Sequence, residues 1–89
     1  MKTVILYRPV SEHARKVEEF VHEYTRRYPT HRVEILNIDT REGSVTASLY
    51  DITSYPAILA LNDDGSASMI WQDEQLPLID DVAGYTHAT

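Results

Sequence analysis

A proline that opens a buried strand can be placed in few ways, and residues 50–61, Tyr-Asp-Ile-Thr-Ser-Tyr-Pro-Ala-Ile-Leu-Ala-Leu, form such a stretch. A polar loop ends in Tyr55-Pro56 and passes at once into the apolar run Ala57 to Leu61. Proline has no amide hydrogen, so within a sheet it belongs at a strand's first position or on an edge. An aromatic residue before proline also makes the cis bond easier to reach, although most such bonds are trans. The rest of the chain is accommodated if this turn and strand lie beside the start of the first helix.

Upstream, Thr3-Val4-Ile5-Leu6-Tyr7 is an unbroken apolar and β-branched run, the pattern of a strand covered on both faces. Arg8-Pro9 ends it. Ser11 is then placed to cap a helix, with Glu12 where negative charge suits the helix dipole. Ala14, Val17, Phe20, Val21, Tyr24 and Tyr28 recur at steps of three and four and draw one buried stripe as far as Pro29. Val33 to Asp39 reads as a second strand, parallel to the first through a right-handed crossover. Residues 41–50 have weak apolar spacing, Val45 and Leu49, and read as a short, loosely specified helix or a turn-rich link.

After the strand Ala57–Leu61, Asn62-Asp63-Asp64-Gly65 predicts a hairpin turn, because Asp-Gly tolerates positive φ. Ser66 to Gln72 is the returning strand, with Ala67, Met69 and Trp71 on one face. Pro77 is predicted in the first turn of a last helix, which packs through Leu76, Ile79, Val82 and Ala83 and ends near Gly84. The order is β-α-β-(α)-β-β-α. It closes as a four-stranded mixed sheet with helices on both faces, a single α/β domain over residues 1–89.

Composition narrows the function. The 89 residues contain no cysteine, which removes disulfides, thiol catalysis and thiolate metal sites. The net charge is −6, with +2 over residues 1–28 and −8 over residues 29–89. Such a surface repels nucleic-acid phosphates and anionic membranes, so neither is an expected partner. The apolar run Val4–Tyr7 is too short for a signal-peptide core or a membrane span, and a cytoplasmic location is the default expectation.

Three segments resemble the thioredoxin-like superfamily in its compact glutaredoxin-sized form. Val4-Ile5-Leu6-Tyr7-Arg8-Pro9 is similar to the first strand and loop of glutaredoxins. Leu36-Asn37-Ile38-Asp39 followed by residues 50–57 resembles the approach to the family's cis-proline, and Asp64-Gly65 falls at its hairpin turn. The resemblance implies a thioredoxin-like fold and a Cys-x-x-Cys pair at the start of the first helix. That pair works through a thiolate favoured by the helix N-terminus. Here the matching positions read Ser11-Glu12-His13-Ala14, so neither a dithiol nor a monothiol oxidoreductase is expected.

The resemblance also implies a groove in which main chain beside the proline pairs with an extended segment of a partner. Ser11, Glu12, His13, Tyr55 and Pro56 are the candidate binding residues for a protein or peptide. No catalytic residue, cofactor or metal is expected. Ser11 and His13, two apart at a helix start, point in different directions, and a capping serine beside an exposed histidine outweighs a nucleophile and base. Glu18 and His22 have ligand spacing, but two ligands do not make a site. The alternatives are glutathione or another small anion at the same place, or a structural domain that dimerises through the strand bearing Ala67, Met69 and Trp71.

Overall fold

A computed structural model describes residues 1–73 and 75–86. In chain order the elements are β1 (Lys2–Tyr7), α1 (Ala14–Arg27), β2 (Val33–Asn37), α2 (Arg41–Leu49), β3 (Ala57–Leu61), β4 (Ala67–Gln72) and α3 (Ile79–Tyr85). The sheet runs β2-β1-β3-β4. β1 is parallel to β2, with Ile5 opposite Ile35, and antiparallel to β3, with Ile5 opposite Ile58. β4 closes the hairpin antiparallel to β3 and forms one end of the sheet.

The two unbroken apolar runs, β1 and β3, are the central strands, which is why both of their faces are apolar. Ile5, Tyr7 and Ile58 pack with Val17, Phe20 and Tyr24 of α1 and with Val82 and Ala83 of α3. On the opposite face Val4, Leu6, Leu59 and Leu61 pack with Ala47 of α2 and with Ile52. Full burial of each large aliphatic side chain contributes about 1.5–3 kcal/mol. Helices therefore cover both sides of the mixed sheet, as the element order predicts.

The start of α1 differs from expectation. The Ser11 hydroxyl turns back and donates to the Arg8 carbonyl at 2.5 Å, so it caps nothing ahead of it. Its own carbonyl accepts from the Ala14 amide at 3.3 Å, a tight turn that delays the helix until Ala14. His13 becomes the cap residue without a side-chain cap bond, and Glu12 lies outside the helix. α3 likewise begins after Pro77, at Ile79, and runs one residue past Gly84.

α2 is a regular helix with ends that its apolar pattern does not announce. Thr40 accepts from the Gly43 amide at 3.1 Å at one end. At the other end Asp51 takes φ 54°, Ile52 N–H donates to Ala47 C=O, and Asp51 N–H donates to Ser48 C=O. This is a Schellman ending with aspartate in the place usually held by glycine. Gly43 and Ala47 are its buried residues, whereas Val45 and Leu49 are exposed. Small residues let the helix come close to the end of β2.

A buried polar knot joins the two ends of the described chain. The Tyr24 hydroxyl lies 3.2 Å from Thr3 Oγ1, 2.8 Å from Thr86 Oγ1 and 3.1 Å from His31 Nδ1. No helix among the described residues is long and apolar enough to cross a membrane.

Candidate functional site

The carboxyl ends of the parallel strands β1 and β2 open onto loops, the usual place for a binding crevice in an open α/β sheet. The loop after β1 carries Arg8, Pro9 and Val10 into the turn of residues 11–13. The loop after β2 carries Ile38 and Asp39. The loop before β3 brings up Tyr55, and the Tyr55–Pro56 peptide bond is cis.

Arg8, Ser11, Glu12, His13, Lys16, Ile38 and Tyr55 line a cavity of about 430 Å³ at this junction. Four of the five sequence-based candidates, Ser11, Glu12, His13 and Tyr55, are thus brought together. Pro56 is fully buried and forms no part of the wall. Arg8, Lys16 and Ile38 were not singled out from sequence. Arg8 and Ile38 could have been found as the residues that leave two parallel strands. Lys16 stands four residues after Glu12, on the next turn of the same segment.

The polar groups here chiefly shape the loop. His13 Nε2 accepts from the Arg8 amide at 3.2 Å. The Ser11 hydroxyl is committed to the Arg8 carbonyl, and no hydrogen bond joins Ser11 to His13. Both side chains are therefore bonded to the Arg8 main chain and not to each other. Arg8 reaches the Asp39 carboxylate with both Nε and Nη2, each at 3.1 Å, and so ties the β1 loop to the β2 loop. Lys16 makes no ion pair among the described residues.

Deeper in, Tyr7 packs beside His13 with ring centroids 6.3 Å apart. Burial, then its hydrogen bond to Glu18, raises the Tyr7 pKa, so the ring stays neutral as an apolar support. The loop holding Tyr55 is fixed from the side by Gln72, whose Oε1 accepts from the Thr53 amide at 2.9 Å and the Ser54 amide at 3.3 Å. Those two amides are satisfied. The Tyr55 main chain takes part in no hydrogen bond with the described residues, and Tyr55 is part of the cavity wall.

Among the described residues no group of three or more His, Asp or Glu is placed to hold a metal ion. Glu18 bonds Tyr7 instead.

No family model matches the sequence, and no curated protein matches it either. Solved structures do match the fold. Mitochondrial thioredoxin 3 from Saccharomyces cerevisiae, in its oxidized form, superposes with a TM-score of 0.70 at 14% identity, over 94% of this chain and 74% of that one. Thioredoxin O2 from Arabidopsis thaliana, in its oxidized state, gives 0.69 at 11% identity, over 93% and 69%. At such identities the likeness concerns the path of the backbone. With its sheet order, its crossover and these superpositions, the chain has the thioredoxin-like fold, carried by a sequence without cysteine.

Proposed function

We propose that this domain is a redox-inactive, non-enzymatic binding module that takes an extended protein segment into the groove between the α1 entry and Tyr55. The observation that carries this is the main chain of Tyr55, a residue of the cavity wall, which is unpaired among the described residues. A donor and an acceptor held there by Gln72 can accept a short added strand, a mode of recognition that needs no thiol. Tyr55 and Ile38 supply apolar wall, while Arg8, Glu12 and Lys16 supply a charged rim. Such a wall with a few polar groups suits a peptide's alternating side chains.

Titration of ¹⁵N-labelled protein with short extended peptides tests the proposal. Shifts should cluster at Arg8, residues 11–13, Lys16, Ile38 and Tyr55, and Tyr55→Gly should weaken binding about tenfold. A series of extended peptides none of which shifts these residues would overturn it. A second reading, a small anion such as glutathione, is favoured by the Lys16 ammonium, which has no ionic partner among the described residues. Calorimetry with millimolar glutathione separates the two, since heat from glutathione that Lys16→Ala abolishes would favour the small ligand.

A further inference from the structure

We infer that the free edge of β4 is a second docking surface, and that its occupant is an extended protein segment presenting a lysine or arginine side chain. β4 ends the sheet, so one side of its backbone has no neighbouring strand among the described residues. Its sequence, Ala-Ser-Met-Ile-Trp-Gln, contains neither a charged residue nor a proline. End strands are ordinarily guarded by such residues against unwanted pairing. Among the described residues this one is uncovered by a strand, and it borders a cavity of about 440 Å³ lined by Met69, Trp71, Asp80, Asp81, Gly84 and Tyr85.

The chemistry of that cavity chooses the occupant. The Trp71 and Tyr85 rings stand edge to face, with centroids 5.5 Å apart and planes at 75°, and so form an aromatic corner. Met69 and Tyr85 are exposed large hydrophobics beside it. Two carboxylates line the same space, and among the described residues no cationic one does. Asp80 is already held by the Tyr28 hydroxyl and by Arg27. Asp81 forms no hydrogen bond or ion pair through its side chain with the described residues. A cation resting on the rings would be drawn by their π faces and by Asp81 together. A second copy of this chain is a poorer occupant, because each copy carries a net charge of −6 and edge pairing would bring the same acids toward one another.

Two acetylated, amidated pentapeptides, Thr-Val-Lys-Val-Thr and Thr-Val-Glu-Val-Thr, test this on the full chain. Fluorescence of Trp71, the single tryptophan, and ¹⁵N shifts of residues 67–72 are the readouts. The lysine peptide should bind about tenfold more tightly than the glutamate peptide, and Asp81→Asn should reduce that preference about threefold. Tyr85→Leu, an exposed change that keeps the apolar area, should weaken the lysine peptide and leave the glutamate peptide unaltered. Equal affinities, no binding at about 5 mM, or self-association through β4 that the lysine peptide fails to compete would each overturn the inference. Shifts at Ser11 and Tyr55 instead of residues 67–72 would also overturn it while supporting the groove.

Discussion

Alanine in place of glycine inside a helix normally stabilises, by about 1 kcal/mol, because glycine loses more backbone freedom on folding. Gly43→Ala should do the reverse. A Cβ on Gly43 would lie 2.7 Å from the Asn37 carbonyl carbon, closer still to its oxygen, and 3.1 Å from Ile38 Cα. Relaxed carbon contacts begin at about 3.5 Å, so the overlap approaches an ångström against backbone that cannot rotate away. Overpacking of this kind costs about 1–3 kcal/mol, and the rigid partner places it at the upper end. After subtraction of the propensity gain, a net loss of about 2 kcal/mol remains, or roughly 8–16 °C in Tm for a domain of this size. Gly84→Ala is the internal control, since its Cβ would meet none of the described residues within 4 Å in the last turn of α3. That variant should gain about 0.5–1 kcal/mol. Urea denaturation of the two variants beside the parent measures both. Equal signs for the two would refute the close approach of α2 to the end of β2. The groove would also register the change, because the displaced backbone carries Ile38 of the cavity wall and leads to Asp39, the partner of Arg8.

Tyr24→Phe removes the centre of the knot joining Thr3, His31 and Thr86 and should cost about 1–2 kcal/mol in urea denaturation; a variant as stable as the parent would contradict the network. Asp51→Gly relieves a left-handed residue at the end of α2 and should raise stability by about 0.5–1 kcal/mol, and a lowered Tm would count against the Schellman ending. Glu23, bonded by Arg26 and then Arg27, has its pKa lowered from 4.5 to about 2. A carboxyl depressed by folding stabilises above its unfolded value and loses that contribution as pH falls through the folded one, here between 4.5 and about 2. Carbon-detected NMR titration of the Glu23 carboxyl should therefore give a midpoint near the lower value, and one near 4.5 would show that the Arg clamps do not hold in solution.

Where side-chain pattern alone decides structure, the fold is legible in the residues. The runs Val4–Leu6 and Ala57–Leu61 announce strands buried on two faces, and the spacing from Ala14 to Tyr24 announces the inner face of α1. Where backbone competition decides, it is not. Ser11 has the composition of a cap, but the Arg8 carbonyl three residues earlier takes its hydroxyl. In α2 the bulky Val45 and Leu49 draw attention, yet contact is made by Gly43 and Ala47, because close approach requires the absence of a side chain. The groove shows the same division. Tyr55 is legible because proline follows it. Arg8 and Ile38 come from loops distant in sequence and meet only when β1 and β2 lie side by side.

Hydrogen exchange at a single amide bears most directly on the role proposed for the groove. With an extended peptide bound to saturation, the Tyr55 N–H should become protected as it enters a hydrogen bond with the added strand, while the amides of Thr53 and Ser54, already held by Gln72, should change little. A Tyr55 amide that exchanges at the same rate with and without the bound peptide would contradict strand addition at this place.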